Sequence, residues 1–358
     1  MPADSKYRFQ DVTSRVRITD VAKLAGCAPA TVSRTVNSPD KVSSDMRSRI
    51  ERAMHELGYV RNHAARALRS QRSHMVGVLI PTLDYALYAR LVSAASTQLS
   101  AAGILTLIAT FDYNLDAELR EARLLLERGA EALVLVGECH RQEIYELLRQ
   151  FGVPFVNTYT FDPESIYPTT GFDNCASAAV MARHLVHLGH SEICVISGIT
   201  EDNDRTTKRL EGIQTELERH GISLPASRII ESPYSISGGK KACALLLSRD
   251  APQPTAIVCG NDVLALGALI ECNSRGLEVP GDISLVGFDN LEFATHLNPP
   301  LTTIDIPASE MGIAAAEFIL GKLSGNEVAM HNSVDVRLIL RSSSAPPRDV
   351  GQHRTSNS

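Results

Sequence analysis

The chain has 358 residues, 44% of them hydrophobic, a formal net charge of −6 and no tryptophan. This length exceeds what one hydrophobic core normally fills, so at least two compact domains are predicted. No signal-peptide core and no run of 18 apolar residues is found, and the seven cysteines contain no CxxC pair. This composition argues against secreted and membrane-spanning classes, and we expect a cytoplasmic protein with no membrane partner.

The segment from Ile18 to Asn37 predicts two short helices joined by a glycine turn, which is the layout of a helix-turn-helix DNA reader. Thr19 is expected to cap the first helix with its hydroxyl. Val21, Leu24 and Ala25 recur at helical spacing and are expected to face inward. Taken alone, these twenty residues also fit a structural helical hairpin without DNA contacts.

The second helix is expected to begin at Pro29, whose fixed φ suits the first helical position. Val32 and Val36 lie four residues apart and face inward together. With Thr19 and Pro29, the predicted DNA contacts of the head are small or polar side chains and one long cation: Ala30, Thr31, Ser33, Arg34 and Asn37. The short side chains let the backbone approach phosphates, while Arg34 reaches a base edge or a phosphate.

A third helix, with Ile50, Ala53, Met54 and Leu57 at helical spacing, completes a DNA-binding domain over residues 17–60. Residues 61–74 follow as a hinge rich in alanine and arginine. This segment is too short to be stable alone, so a hinge helix is expected to fold only when docked. Its predicted DNA contacts are Asn62, Ala65 and Leu68.

Charge divides the chain at the same place. Residues 1–74 hold 14 Lys+Arg against 7 Asp+Glu, a net charge of +7, which leaves −13 for the rest. A basic head can neutralise phosphates, whereas an acidic body repels DNA and confines the contacts to the head. A merely solvated charged surface is the alternative.

The body, residues 75–341, alternates strand and helix patterns, and a second series of alternating strands and helices begins after Phe172. Apolar runs at Met75–Pro81, Ile193–Ser197 and Ala256–Cys259 are each followed by a helical pattern. Such alternation predicts parallel sheets covered by helices on both faces. Two units of this kind fill about 270 residues, so the predicted fold class is α/β, with two doubly wound lobes facing across a cleft.

Ordered motifs run through nearly the whole chain: DVAKLAGC, TVSRTVN, KVSSDMRSRIERAMHELGY and NHAARALRS, then HLVHLGH, RLEGI, AIVCGNDVLALGAL, GLEVPGDISLVGFDN and PPLTTIDIP. In these motifs the chain resembles the lactose repressor and galactose repressor (LacI/GalR) family of bacterial transcription factors. Two positions depart from the family. It usually has serine where Ala28 stands, and many members have an Asn-Pro-Phe-Phe run where residues 85–88 are Tyr-Ala-Leu-Tyr.

The resemblance implies the fold of periplasmic sugar-binding proteins, with chain crossings between the lobes near Gly171, Leu301 and Val334. Lobe 1 then spans about 75–171 and 305–333, and lobe 2 spans about 172–304 and 334–341. Residues 1–16 and the polar tail 342–358 are expected to be disordered. Because the tail has no leucine heptads, a homodimer is expected rather than a tetramer built by a zipper.

In open parallel sheets, ligands bind beyond the carboxyl ends of the strands. The predicted effector contacts are residues at those ends, an arginine at the position where the resembled family binds ligand, and two rings: Asp84, Tyr85, Phe172, Arg209, Asn261 and Asp289. Tyr234 is an alternative source of a ring face. Carboxylates, an amide and an arginine suit a polyhydroxylated ligand such as a sugar or sugar acid. The alternative for Asn261 and Asp289 is helix capping.

Other chemistry is disfavoured. His184, His187 and His190 fall three apart, which suggests zinc, but solvated imidazoles at a helix end are the preferred interpretation. No nucleotide-binding glycine motif or hydrolase elbow is present, so no cofactor and no enzymatic activity are predicted.

We therefore expect a repressor of a carbohydrate or sugar-acid operon that binds palindromic operator DNA and answers to a small effector in the cleft. The alternatives are a solute-binding protein without DNA function, and a regulator that responds to a purine or nucleoside corepressor.

Overall fold

A computed structural model describes residues 16–59, 72–248 and 252–348. These residues form two units, a head within the first 73 residues and a body that begins at His74. The predicted hinge contacts Asn62, Ala65 and Leu68 lie outside the described residues, as do residues 1–15. The hypotheses made for them stay predictions.

The head is built from three helices, which are α1 (Ile18–Ala25), α2 (Pro29–Asn37) and α3 (Ser44–Glu56). Gly26 ends α1 at a φ of 65°, a backbone conformation that glycine adopts without steric cost. The side chains buried between the helices are Val21, Ala22, Ala25, Val32, Ile50 and Ala53. A small apolar core of this size fixes three helices with very short connections, as predicted.

Two local predictions for α1 are wrong. The helix begins at Ile18, and the backbone N–H of Arg17 donates to the Asp20 carboxylate at 2.7 Å, so Thr19 lies exposed inside the first turn. Leu24 is 46% exposed, while Ala22 is buried. The buried stripe therefore follows the small side chains, which let neighbouring helices approach closely, and the bulkier leucine lies outside it.

Lobe 1 of the body contains one sheet in which every pair of neighbouring strands is parallel. Its strands are β1 (Met75–Ile80), β2 (Leu105–Thr110), β3 (Leu133–Val136), β4 (Phe155–Thr158), β5 (Thr169–Gly171) and β11 (His331–Ser333). Their order across the sheet is β11-β5-β4-β3-β1-β2. The helices of lobe 1 are α4 (Ala86–Ala101), α5 (Leu115–Glu127), α6 (Gln142–Phe151) and α11 (Ala308–Leu323).

Lobe 2 repeats the arrangement with an antiparallel strand at one edge. Its strands are β6 (Ile193–Ser197), β7 (Ile229–Glu231), β8 (Ala256–Cys259), β9 (Ser284–Asp289), β10 (Thr302–Asp305) and β12 (Arg337–Ile339), and its helices are α7 (Asn174–His187), α8 (Asp204–Arg219), α9 (Ile236–Leu247) and α10 (Asp262–Ser274). The strand order is β12-β10-β9-β8-β6-β7, with β12 antiparallel to β10. The predicted doubly wound α/β body with two lobes is confirmed.

The chain passes between the lobes three times, after β5, after β10 and after β11. The second crossing comes after β10, which ends at Asp305, so it lies next to the expected lobe bounds at 304 and 305 and four residues after Leu301. Leu301 is only 1% exposed within lobe 2, and the chain continues as β10 to Asp305 beside β9. Pairing with β9 holds these four residues in lobe 2 before the chain leaves.

The prediction of a disordered tail is wrong for residues 342–348, which the structure describes. Ser343 is 1% exposed; its Oγ donates to the Leu285 carbonyl at 2.6 Å and accepts from the Thr302 N–H at 2.8 Å. The segment is thus bound along the sheet of lobe 2. Its polar composition gave no hydrophobic signal because hydrogen bonds to backbone groups hold it.

Among the described residues, no helix combines the length and the apolar composition needed to cross a membrane.

Candidate functional site

The first candidate surface is the N-terminal part of α2 in the head. Pro29 is its first residue, and the side chains at predicted contact positions are exposed for Ala30 and Arg34 and half-buried for Thr31 and Ser33. Asn37 ends the helix. Behind this surface Val32 is fully buried, so the helix has a fixed inner face. The outer face can therefore offer one guanidinium among short side chains to a nucleic-acid groove.

The start of α2 lacks the side-chain cap that serine would supply. Ala28 has an extended backbone (φ −74°, ψ 147°) and no side-chain oxygen to accept the first N–H groups of the helix. Pro29 partly compensates, because it has no N–H to satisfy and is already in the helical φ range.

The second candidate site lies in the cleft between the two lobes of the body, where Asn261 and Asp289 meet. Asn261 lies directly before α10, and its Oδ1 accepts from the Leu264 N–H at 2.8 Å, so it does cap that helix. Capping uses only the amide oxygen, so Nδ2 can make a second contact, in which it donates to the Tyr85 hydroxyl. Asp289 ends β9; its Oδ2 accepts from the same hydroxyl, and its Oδ1 has no hydrogen-bond partner among the described residues.

Arg209 forms one wall of this site from α8. Its Nε donates to the Asn174 side chain at 2.8 Å, its Nη1 donates to the Gly260 carbonyl at 3.3 Å, and its Cζ lies 3.9 Å from the centroid of the Phe288 ring. The side chain is 9% exposed. Three contacts hold the guanidinium in one orientation, which is the condition for directional recognition of a polar ligand.

Phe172 was predicted to provide a ring face for the effector, and the structure contradicts this. The side chain is 1% exposed and packs against Phe288 at a centroid distance of 6.1 Å. It lines neither of the cleft cavities described next. Because Phe172 lies where the chain crosses between lobes, it is enclosed by both of them.

The cleft contains two adjoining cavities. The outer cavity has a volume of about 420 Å³ and is lined by Thr82, Asp84, Tyr85, Asp112, Tyr113, Ile199, Glu201, Asp202, Asn203, Pro233 and Tyr234. The inner cavity has only about 20 Å³ and is lined by Tyr85, Leu87, Tyr88, Tyr113, Tyr159, Asn203, Arg205, Thr206, Arg209, Tyr234 and Asp289. The outer cavity is large enough for a small ligand, whereas the inner one holds no more than about one water molecule.

Backbone strain is concentrated around these cavities. Seven non-glycine residues of the described chain have positive φ, and five of them line the two cavities: Asp112, Tyr113, Tyr159, Asp202 and Asp289. Positive φ is unfavourable for such side chains and is tolerated where the surrounding structure imposes it. Concentrated strain of this kind marks the cleft as a functional site.

Buried carboxyl groups lie beneath the cavities. Burial raises the pKa of Asp289 to about 6, an effect that the charge of Arg209 partly offsets. Burial and then the charge of Asp289 raise the pKa of Asp262 to about 8. Burial and the neighbouring Asp289 also raise the pKa of Tyr85, so its hydroxyl keeps its proton and acts as a donor.

The mouth of the cleft is acidic. Asp84, Asp112, Glu201 and Asp202 line the outer cavity and are all exposed. No ion pair to any of them is formed within the parts of the chain that the structure describes. Their field therefore disfavours an anionic ligand in the outer cavity.

Direct contacts also join the lobes beside the cavities. Arg205 in α8 donates from Nη1 to the Val136 carbonyl at 3.0 Å, and the N–H of Glu138 donates to Asp204 Oδ2 at 3.0 Å. Gly137 lies between these two bonds at a φ of 84°, and a Cβ there would meet Arg205 Nη1 at 1.9 Å. The close approach of the lobes at this point requires glycine.

Sequence reasoning missed several residues of the cleft, namely Tyr88, Tyr113, Tyr159 and Arg205. A signal for two of them existed, since Tyr113 follows β2 and Tyr159 follows β4. Both positions follow the carboxyl ends of parallel strands. The rule that ligands bind beyond such ends selected Asp84, and it applies equally to these two tyrosines. Arg205 gave no such signal, because its contact with lobe 1 depends on tertiary structure.

His184 and His190 hold the C-terminal segment. His184 contacts the Ser344 hydroxyl at 2.9 Å, and His190 contacts the Ala345 carbonyl at 2.9 Å. Burial lowers the pKa of both rings. These two imidazoles are therefore packed rather than solvated, which corrects the preferred interpretation. The described residues contain no group of three or more His, Cys, Asp or Glu side chains placed to hold a metal ion.

Comparison with known proteins gives matches over nearly the whole chain. Residues 17–62 match the family of bacterial regulatory proteins called the lacI family, and residues 182–344 match a periplasmic binding protein-like domain. The HTH-type transcriptional repressor CytR of Escherichia coli K12 is 32% identical over 94% of this chain and 98% of its own length.

Two solved structures extend the comparison. A lac repressor dimer bound to operator and the anti-inducer ONPF has a TM-score of 0.84 at 27% identity, covering 93% of this chain and 100% of that chain. A complex of the transcriptional regulator CelR with cellobiose has a TM-score of 0.69 at 26% identity, covering 92% and 100%. With its helix-turn-helix head and two-lobed effector body, the chain is a DNA-binding transcriptional regulator and belongs to the lacI family of bacterial regulatory proteins.

Proposed function

We propose that the chain is a homodimeric repressor that binds a palindromic operator through its head and answers to a small polyhydroxylated molecule in the cleft of its body. The observation that carries the effector part is the meeting of Asp289, Asn261 and Arg209 at the carboxyl ends of the strands in lobe 2. One carboxylate, one amide and one fixed guanidinium supply both acceptors and donors to ligand hydroxyls.

A neutral sugar fits this cleft better than a sugar acid. The rings of Tyr85, Tyr113 and Tyr234 border the outer cavity and offer apolar faces to a sugar ring. The acidic mouth, formed by Asp84, Asp112 and the acids at 201 and 202, repels a carboxylate or phosphate. The structurally similar CelR holds cellobiose, which supports this choice.

A nucleoside is the second candidate, because the same rings can stack on a planar base. A free purine base would use only the aromatic walls of the outer cavity, whereas a sugar, or the ribose of a nucleoside, would depend on the hydroxyl-binding groups beneath it. A free base and a sugar therefore differ in their dependence on Asp289, and a nucleoside shares the dependence of the sugar. We propose no catalytic role for the cleft and place the protein in the cytoplasm, together with its operator.

Regulation follows from linkage between the cleft and the head. A ligand that contacts both lobes better in one arrangement shifts the body toward that arrangement, and the bound operator must shift it by the same factor in return. In a dimer, the two heads and hinges would respond together, with Leu68 inserted in the minor groove at the centre of the site.

The surface of β2 supports the dimer. This strand lies at an edge of the lobe 1 sheet, and Leu105 and Ile108 are 60% and 47% exposed. An edge strand with exposed large apolar side chains is a site for pairing with another chain. A second copy of the same surface is the occupant we propose.

The test is a thermal-shift panel on the full chain with ribose, cellobiose, gluconate, cytidine and hypoxanthine. A ligand at 100 times its Kd stabilises the folded state by about 2.7 kcal/mol, which shifts Tm by several degrees. We expect stabilisation by a neutral sugar, and its loss in Asp289→Ala. Stabilisation by cytidine or hypoxanthine, with no stabilisation by ribose, cellobiose or gluconate, would favour the second candidate.

The DNA part is tested by selection of binding sites from a random duplex library with the full chain. We expect an inverted repeat, bound with an affinity that falls steeply with salt, because each neutralised phosphate contributes a slope of about −0.9 to log K against log[salt]. An enriched site without dyad symmetry would contradict the homodimer on a palindrome.

A further inference from the structure

The side chain of Tyr85 already makes the contacts that a ligand hydroxyl would make in the cleft. Its hydroxyl donates to Asp289 Oδ2 and accepts from Asn261 Nδ2. Tyr85 directly precedes α4 in lobe 1, whereas Asp289 and Asn261 belong to lobe 2. One phenol hydroxyl thus joins the two lobes through one donated and one accepted hydrogen bond.

The ring of Tyr85 lies in a slot with aromatic walls. It stacks on Tyr234 at a centroid distance of 5.9 Å and an interplanar angle of 24°, and it is tilted against Tyr88 at 5.8 Å. Tyr234 is itself fixed, since its hydroxyl lies 2.6 Å from the Thr206 hydroxyl. The slot therefore has a flat wall for a six-membered ring and a polar floor for its hydroxyl.

We propose that Tyr85 is a built-in occupant of the effector pocket, which ties the two lobes together and which an effector must displace to reach Asp289. The inference rests on the proposed function in that the cleft is taken as the effector site. It adds Tyr85 as a specificity-determining residue, and it requires that the ligand displace the Tyr85 hydroxyl from Asp289.

The volumes explain why displacement is necessary. With Tyr85 in place, the inner cavity measures about 20 Å³, too little for any sugar ring or base. A ligand in the outer cavity of about 420 Å³ meets one side of Tyr85 but not the carboxylate behind it. The outer cavity offers space into which the phenol can rotate, because Tyr85 lines that cavity directly.

The hydrogen bonding of Asp289 indicates which kind of ligand can displace Tyr85. Tyr85 satisfies Oδ2, whereas Oδ1 is buried without a hydrogen-bond partner among the described residues. A buried acceptor left without a partner is unfavourable, so a ligand that satisfies both oxygens gains over the single phenol hydroxyl. Two adjacent hydroxyls on one ring meet this requirement. The displacing ligand is therefore a cyclic vicinal diol.

The first experiment removes the ring of Tyr85 by mutation and supplies the missing fragment as a free small molecule. In Tyr85→Ala the missing fragment is phenol, so we expect phenol to raise Tm of this variant and benzene, which lacks the hydroxyl, to bind at least about tenfold more weakly. The matched control is Tyr167→Ala, which removes a ring stacked on Tyr145 at 3.8 Å inside lobe 1. Equal binding of phenol and benzene to Tyr85→Ala would overturn the proposal.

The second experiment tests the diol and keeps the pocket wall intact. In Tyr85→Phe the ring stays while the competing hydroxyl is lost, so cis-1,2-cyclohexanediol should bind several-fold more tightly than to the wild type, and cyclohexanol should gain much less. If the diol binds to Tyr85→Phe and to the wild type with the same affinity, whether strong or weak, the hydroxyl of Tyr85 does not compete with the diol. This variant also covers the case in which Tyr85→Ala does not fold.

The outcomes separate this inference from the proposed function. If phenol and the diol behave as expected but no sugar of the panel stabilises the wild type, the sugar effector is wrong while the role of Tyr85 stands. If a sugar binds through Asp289 while Tyr85→Ala does not distinguish phenol from benzene, the role of Tyr85 is wrong and the effector site stands.

Discussion

Asp262 offers a direct test of the electrostatics beneath the cleft. Its Oδ1 accepts from the Thr303 hydroxyl at 2.6 Å, and its Oδ2 accepts from the Leu291 N–H at 2.7 Å. Asp262→Asn can keep both bonds, because the amide oxygen can face Leu291 while the amide nitrogen donates to Thr303, whose hydroxyl reverses. The substitution thus removes the titration and leaves the packing unchanged.

The sign of the pH effect follows from the direction of the shift. Burial raises the pKa of Asp262 from 3.8 to about 8, so the folded protein holds a proton that the unfolded chain releases above about pH 4. The free energy of unfolding therefore falls as pH rises toward 8, by about 1.4 kcal/mol per pH unit for one proton. Between pH 6 and pH 8, where the group titrates, the loss is about 2 kcal/mol.

The assay is urea denaturation of the full chain at pH 6 and pH 8, followed by circular dichroism. We expect the wild type to lose about 2 kcal/mol more than Asp262→Asn over this interval. Groups that lie away from Asp262 titrate in both proteins and cancel in the difference, whereas Asp289 is coupled to Asp262 and its contribution is part of the effect measured. Asp116→Asn, a change at an exposed carboxylate, serves as the control and should keep the wild-type pH dependence. A pH dependence in Asp262→Asn equal to that of the wild type would refute the reasoning.

Four further predictions concern the head, the hinge and the cleft. Arg34→Ala should abolish specific operator binding in a gel-shift assay at fixed salt while sugar-induced thermal shifts persist; unchanged operator affinity would contradict the role of α2. Leu68→Ala should weaken specific binding by a few kcal/mol and reduce DNA bending, and a wild-type bend angle would show that Leu68 only packs. Gly137→Ala should displace the Arg205 guanidinium from the Val136 carbonyl, because the added Cβ collides with Arg205 Nη1, and should lower Tm, whereas an unchanged Tm would show that this contact between the lobes adds little stability. Arg209→Lys should raise the sugar concentration needed for the DNA response by tenfold or more if the guanidinium binds in a bidentate manner, and an unchanged midpoint would show that a point charge is sufficient.

Long periodic segments of the body were predictable from the sequence. The strand Ile193–Ser197 and the strand Ala256–Cys259 have the predicted bounds, because an uninterrupted apolar run in a parallel sheet gives a strong signal. Two three-residue strands of lobe 1 escaped prediction. β5 and β11 have three residues each and lie toward one edge of their sheet, where so few side chains define no period.

α11 was missed for a different reason. Its sequence is apolar around most of its circumference, and its buried residues include Ala308, Met311, Gly312 and Phe318. Its exposed face carries Ile313 between Glu310 and Glu317, so apolar and charged side chains are mixed there and the amphipathic pattern that identifies surface helices is weak.

The site was only partly predictable. The rule that ligands lie at the carboxyl ends of parallel strands selected Asn261, Asp289 and Tyr85, which the structure brings into one hydrogen-bonded group. The hydroxyl that joins them could not be foreseen, because it depends on how two lobes that are distant in sequence approach each other. For the same reason Phe172, which looked accessible at a lobe crossing, is buried.

The three crossings between the lobes make the last part of the chain indispensable to both. β11 is the edge strand of one sheet, and β12 is the edge strand of the other, although only three residues separate them. During synthesis on the ribosome, neither lobe can complete its sheet until these final strands leave the exit tunnel. A premature stop codon shortly before His331 would therefore leave two open sheet edges, and the truncated product would be a substrate for aggregation and proteolysis rather than a smaller working regulator.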